Sequence, residues 1–339
     1  MNAVTDSPRA MVSISAGRAI TIFAGFLVAG LIALVYANYQ RDIQQARRRI
    51  SLGSQMVVTA CGQIEYADPG NGPPLLVVHG AGGGFDQGLD FAKPLVQGGF
   101  RVIAMSRFGY LRTPLPADAS PAAQADAFAC LLDTLEIRRA AVFGLSAGAP
   151  SAMQFALRHP ERTAALVLLV PAAYPTSQEQ RAEGAMPKQT SALTKFLFDI
   201  ALKSDFLFWA VPRLAPKVAF EALLATPAEV VEKASANERS RATEVLDHLL
   251  PFSQRRLGIL NDASITPSLP RYELEQIEAP TLILGTADDL YGTHEGASYS
   301  AAHIPHARFI GYASGGHLLV GRYEAAIAEI MPFLGVYAQ

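Results

Sequence analysis

The chain has 339 residues, half of them hydrophobic and only 17% charged, enough apolar matter for one large domain or one domain with a sizeable insertion. A formal net charge of -2 gives no basic footprint for a nucleic-acid backbone, and the longest basic cluster, Arg47, Arg48 and Arg49, sits near the N-terminus. Composition therefore excludes a disordered chain and a nucleic-acid-binding one.

The first element is a long apolar run. No charged residue occurs between Ala19 and Gln40, and "AITIFAGFLVAGLIALVYA" supplies the roughly 20 apolar residues that a bilayer-crossing helix needs. We read about 19–37 as a transmembrane helix with a basic flank, in an N-terminal segment 1–50. The competing reading is a cleaved signal peptide, with Arg18 as its basic region and Val35 and Ala37 as small residues before a cut ahead of Asn38. The residues ahead of the run and its length favour the anchor. Arg9, Arg18 and the terminal amine precede the span while Arg41, Arg47, Arg48 and Arg49 follow it, so the positive-inside rule leans slightly towards a cytoplasmic C-terminal domain.

Beyond Ser51 the pattern changes. "SQMVVTA" and "QIEYA" read as an opening pair of strands, followed by a turn-rich "ADPGNGPP". "LLVVHG", "RVIAMS", "AAVFGLS", "AALVLLV", "PTLILGT" and "ARFIGY" are short, almost continuous apolar runs, the signature of strands buried on both faces of a parallel sheet. Helical stretches separate most of them. In "SPAAQADAFACLLDTLEI", Ser120 is the expected N-cap, Pro121 takes the first helical position, and Ala125, Phe128, Leu131, Leu132 and Leu135 form the apolar stripe. The alternation predicts a doubly wound α/β domain with eight strands. Cys61 and Cys130, 69 positions apart with no CxxC partner, are expected to be unpaired structural thiols, a disulfide being the alternative.

Between 172 and 271 the alternation stops. That stretch has helical patterns such as "TKFLFDIALKSDFLFWAVPRL" and the single tryptophan, Trp209. A loop of that length without structure is improbable in a compact domain, so it is read as a helical cap inserted between a first core segment, 51–171, and a second, 272–339. Ligands of open parallel sheets bind at the carboxyl ends of the strands, where a cap would lie.

Two glycine-rich stretches carry the chemistry. "AVFGLSAGAP" holds Gly144, Ser146 and Gly148 as G-x-S-x-G between a strand and a helix, a sharp turn that pushes the Ser146 hydroxyl out at the top of the sheet. A serine hydroxyl is a weak nucleophile, so a base and an orienting carboxylate must exist. His317, in a glycine-containing loop after the last strand, is the best placed of seven histidines. Asp288 follows a buried strand directly and is the expected acid, with its neighbour Asp289 as the alternative, because adjacent turn positions cannot be ordered from sequence. The loop "HGAGGGFDQG" lacks the lysine and hydroxyl of a P-loop and the spacing of a dinucleotide fingerprint. Its bare backbone suits an oxyanion, bound by the N–H groups of Ala81 and Ala147 with Gly82 as substitute or helper, and His79 braces the loop. The histidines show no metal-ligand spacing, so neither metal nor cofactor is expected.

"HGAGGG", "GLSAG", "GTADD" and "SGGH", in this order, resemble the oxyanion loop, nucleophile, acid and base of the α/β-hydrolase superfamily, specifically its cap-bearing serine hydrolases, over roughly residues 55–334. The stretch "SRFGYLRT" departs from the relatives' D-x-R-G-x-G at Ser106 and Tyr110. The resemblance implies an α/β-hydrolase fold, a mostly parallel eight-stranded sheet flanked by helices, and two-step acyl transfer by Ser146, His317 and Asp288. A carboxylesterase acting on a small-molecule, apolar acyl substrate is the expected function. Leu193, Phe196, Leu197, Phe198, Phe206, Leu207, Phe208 and Trp209 are read first as packing the cap onto the domain. The sharper alternative is that some line an acyl pocket, which would favour an apolar ester near the membrane. The alternatives are a non-catalytic binding module of the same fold, or a peptidase, lactonase, perhydrolase or carbon-carbon hydrolase using the same triad.

Overall fold

The computed structural model describes residues 16–174 and 203–338. Leu193, Phe196, Leu197 and Phe198 lie outside the described residues. The chain divides into two compact units, 1–45 and 46–339.

In the first unit, helix α1 (Ala16–Leu52) begins, and its stretch from Thr21 is long and apolar enough to cross a membrane or to serve as a signal sequence. Its last residues, 46–52, fold with the second unit. Ala46 and Ile50 are buried there, and Ile50 shares a core with Phe85 and Leu95.

The second unit is built on one eight-stranded sheet in the order β1-β2-β4-β3-β5-β6-β7-β8. Strands β1 (Gln55–Thr59) and β2 (Gly62–Ala67) pair antiparallel, and β2 joins β4 (Arg101–Met105) antiparallel. From β4 onward every pairing is parallel, through β3 (Pro74–Val78), β5 (Ala140–Leu145), β6 (Thr163–Leu169), β7 (Thr281–Thr286) and β8 (Ala307–Tyr312). Period-two alternation sends Leu76, Val78, Val142, Leu166 and Leu168 to one core and Leu75, Val77, Phe143, Val167 and Leu169 to the other, so both faces are apolar. Helices α2 (Phe85–Gln97), α3 (Pro121–Thr134) and α4 (Ala149–Arg158) follow β3, β4 and β5. Ser120 caps α3 as expected, its hydroxyl accepting from Ala123 N–H at 3.2 Å.

The expectation for the cysteines is overturned. Cys61, in the β1–β2 turn, and Cys130, on α3, are joined in a disulfide with Cα atoms 5.9 Å apart. Their 69-residue separation hid a neighbourhood that only the packing of α3 against β1 creates.

The described part of the insertion is helical: α5 (Asp205–Leu214), α6 (Pro216–Leu224), α7 (Ala228–Lys233), α8 (Ala236–His248) and α9 (Arg256–Ile265). Phe220, Leu224, Leu246, Leu249 and Phe252 form a third apolar cluster with Leu318 and Val320 from the loop after β8. The cap therefore sits on that loop. Helices α10 (Thr293–His303) and α11 (Tyr323–Tyr337) complete the unit.

Candidate active site

Ser146 ends up where a strand must become a helix without room to turn gradually. Its φ is 46°, a left-handed conformation that costs a side-chain-bearing residue of order 1–3 kcal/mol and persists only under surrounding constraint. The constraint is visible. A Cβ on Gly148 would lie 2.4 Å from the His79 carbonyl oxygen, one on Gly144 would lie 2.7 Å from Ala152 Cβ, and one on Gly80 would meet Ser146 Cβ at 3.1 Å. Glycines at 144 and 148 let the turn close against β3 and α4, and the half-buried Ser146 hydroxyl is left facing His317.

His317 Nε2 lies 2.8 Å from Ser146 Oγ. On the other side of the ring, Nδ1 lies 2.7 Å from Oδ2 of Asp289. The acid expected from sequence was Asp288, and here the structure corrects it. Asp288 Oδ1 and Oδ2 accept the backbone N–H groups of Gly316 and Gly315 at 2.8 and 3.1 Å, so that carboxylate holds the loop that presents His317 rather than the imidazole itself. Consecutive side chains of a turn diverge, and only the buried one faces the ring. Burial alone would raise the Asp289 pKa, but the His317 charge, with hydrogen bonds from His317, Thr293 Oγ1 and Tyr291 N–H, holds it below the usual carboxylate range. An ionised Asp289 fixes the proton on Nδ1 and leaves Nε2 to accept from serine. Tyr291 packs edge-on against His317 at 4.9 Å.

The loop expected to bind an oxyanion is a tight turn, closed by Gly83 N–H to Gly80 C=O at 3.3 Å, with Ala81 and Gly82 at its centre and Gly82 at φ 71°. Among the described residues no hydrogen-bond partner is found for the Ala81 or Ala147 N–H, and both residues border the cavity at Ser146. Gly82 is not the substitute considered above: its N–H donates to Tyr110 Oη at 3.3 Å.

His79 braces the loop as expected. Its Nδ1 meets Gly80 C=O at 2.7 Å and its Nε2 accepts the Arg107 N–H at 2.9 Å. Complete burial, reinforced by the Arg107 charge, pushes its pKa well below the ordinary imidazole value, so the ring is neutral. Sequence reasoning missed what stands behind it. Arg107 donates twice to Asp262 of α9, at 2.8 and 2.6 Å, and once to His79 C=O at 2.9 Å, while Tyr110 Oη lies 2.5 Å from Asp262. The signal was present in "SRFGYLRT", where Arg107 and Tyr110 sit in a loop beside the glycine-rich turn, but their partner Asp262 lies 155 and 152 positions away.

Two cavities meet at Ser146. One, about 320 Å³, is walled by Phe208, Ala222, Leu224, Val245, Leu249 and Phe252. The other, about 630 Å³, opens past Ala172, Tyr174, Asp262 and Thr293. Both also touch Ala81, Ile259 and Tyr291, and among the described residues neither lining contains a lysine or arginine. Phe208 thus lines the site, whereas Trp209 is buried and Phe206 and Leu207 are exposed. Among the described residues no cluster of three or more His, Cys, Asp or Glu side chains could hold a metal ion.

A sequence model of the alpha/beta hydrolase fold matches residues 73–321. The chain is similar to the uncharacterized hydrolase YcgS of Bacillus subtilis, 29% identical over 278 residues that span 80% of this chain and 94% of that protein. A shorter stretch of 113 residues is 37% identical to a 2-hydroxy-6-oxononadienedioate/2-hydroxy-6-oxononatrienedioate hydrolase of Paraburkholderia xenovorans, spanning 32% of this chain and only 39% of that enzyme. Among solved structures, a membrane phospholipase A described as a novel bacterial virulence factor superposes with a TM-score of 0.60 over 94% of this chain and 96% of its own, at 22% identity, a likeness of fold.

Proposed function

We propose that this chain, which belongs to the alpha/beta hydrolase family, is a serine hydrolase cleaving ester-type acyl bonds, with Ser146 as nucleophile, His317 as base and Asp289 as the orienting acid. One observation carries the reading: the unbroken relay from Asp289 Oδ2 through His317 to Ser146 Oγ, with contacts of 2.7 and 2.8 Å. Ser146 Oγ attacks the acyl carbon as its proton passes to His317 Nε2, and the carbonyl oxygen gains charge against the Ala81 and Ala147 N–H groups. Collapse expels the alcohol, which takes the proton from His317. Water, deprotonated by His317, then attacks the acyl-enzyme and releases the acid. The apolar cavity of about 320 Å³ takes the acyl chain and the wider one the leaving group, both within the roughly 300–1,000 Å³ typical of ligand pockets.

The partial match to a carbon-carbon hydrolase favours a second reading with the same triad. That relative is named for a dicarboxylate, and among the described residues the linings offer no lysine or arginine to pair with buried carboxylates, which would be costly to bury unpaired. The ester reading is preferred on that ground.

The test is hydrolysis of p-nitrophenyl esters of two to twelve carbons by the full chain and by Ser146→Ala. Activity that depends on Ser146 and rises with acyl length supports the proposal. Ala222→Trp, which fills the apolar cavity, should shift the optimum to shorter chains. A parent that ignores every ester but consumes the substrate of the dienedioate relative would replace it with the second reading.

A further inference from the structure

The end of α1 reaches the oxyanion loop through a chain of charges that the acyl-transfer mechanism does not itself use. Arg49 Nε lies 3.3 Å from Asp86 Oδ2, and its Nη2 donates to the carbonyls of His248 and Leu250 at 3.1 and 2.6 Å. Asp86, nearly inaccessible, is gripped by both nitrogens of the fully buried Arg255, at 3.0 and 2.6 Å. The same Arg255 Nη1 donates to Gly83 C=O at 2.6 Å. Gly83 closes the turn that carries Ala81.

The second branch converges on the same turn. Leu249, between the two carbonyls that Arg49 holds, lines the apolar cavity, and its Cδ2 would lie 2.9 Å from a Cβ on Gly82. Arg49 thus secures both the carboxylate that orients Arg255 and the cap turn that packs beside Gly82. Such a buried array is a poor source of net stability, because two cations and one anion must be desolvated together. Geometric restraint is what it supplies. A guanidinium bonding a carboxylate and two carbonyls fixes three groups from two elements, α2 and the turn that ends α8, around one planar fork.

Resting on the acyl-transfer reading above, we propose that Arg49 is a positioning residue for the oxyanion hole: from the end of the N-terminal helix it holds the Gly80–Gly83 turn through Asp86 and Arg255, and the cap through Leu249. The substrate is untouched by Arg49, so its loss acts on transition-state stabilisation and spares ground-state binding.

The test uses the full chain in detergent, as parent, Arg49→Met and Arg49→Lys. Expected for Arg49→Met is a fall in kcat of about 10- to 100-fold, part of what loss of a whole oxyanion donor costs, with KM within about twofold. Arg49→Lys should recover part of kcat, since an ammonium keeps the Asp86 charge contact but cannot span both carbonyls. A second readout needs no substrate: backbone amide exchange over residues 80–84 should quicken in Arg49→Met while exchange in β5 and β6 stays unchanged. Unaltered kcat in Arg49→Met, or unaltered exchange in the loop, overturns the proposal, as does a kcat loss no larger than the unfolded fraction of the variant. A parent that hydrolyses no ester overturns the acyl-transfer reading instead, and the exchange measurement still decides the fate of Arg49.

Discussion

Two adjacent aspartates divide the labour around one histidine. Asp289 faces the ring and Asp288 ties down Gly315 and Gly316, the two residues before His317, so an isosteric change at each should have a different effect. Asp289→Asn should lower kcat by about 10⁴, because the amide can favour the wrong His317 tautomer. Asp288→Asn should cost no more than about tenfold, by loosening the loop, since one amide oxygen can still accept. Steady-state kinetics on the best ester separates them, and equal losses would mean that the imidazole changes partner. Asp86 has a pH signature of its own. The Arg255 and Arg49 charges outweigh its burial penalty and hold its pKa at about 2, against an ordinary 3.8. A depressed pKa means that the stabilisation is complete above the ordinary value and is lost as pH falls through the folded one. Urea unfolding should therefore show roughly 2 kcal/mol disappearing from this group between about pH 4 and pH 2. Asp86→Asn, already destabilised at neutral pH by leaving Arg255 without its counter-charge, should show a flatter profile across that window.

At the scale of elements, what the sequence revealed and what it hid have distinct physical causes. The five strands β3 to β7 were legible because each is buried on both faces and therefore written in continuous apolar residues, as in "LLVV" of β3 and "AAVFGL" of β5, whereas β1, β2 and β8 are partly exposed and carry a weaker signal. The turn at Ser146 was legible because Gly144 and Gly148 are required by contacts with neighbouring elements, a demand that fixes residue type at fixed spacing. Charge pairs across the fold were not. Arg107–Asp262 and Arg255–Asp86 join residues 155 and 169 positions apart, and nothing local marks one partner for the other. The same blindness concealed the role of the α1 end, where Arg49 reads as one of three basic residues after a span. A nested truncation makes that role visible. A chain beginning at Ala46 keeps Arg49 and Ile50 and should match the intact protein in kcat. One beginning at Ser51 loses both, and should fall at least as far as Arg49→Met while also unfolding at lower temperature, through the apolar contacts of Ile50. Equal kcat for the two chains would place no functional weight on this helix end.

For a chain anchored through the apolar run of α1, the disulfide bears on which side of the membrane the second unit faces. Arg9 and Arg18 precede the apolar span and four arginines follow it, a small difference in which the positive-inside rule has little force. The Cys61–Cys130 bond is more decisive, because such bonds persist in oxidising compartments and are kept reduced in the cytosol. It closes a long loop, with 69 residues of separation, for which chain entropy allows a contribution of about 4 kcal/mol, so a compartment that reduced it would leave the unit markedly weaker. The expected topology is thus a body on the oxidising side, opposite to the slight lean given by the flanking charges. Spheroplasts of a bacterial host expressing the full chain provide the measurement. Added protease should digest the body from outside, the tryptic peptides containing Cys61 and Cys130 should stay linked without reductant, and dithiothreitol should lower the melting temperature of the purified protein. A body protected in spheroplasts, with both thiols alkylated at once, would put it in the cytosol, where α3 and the β1–β2 turn would have to hold together by packing alone.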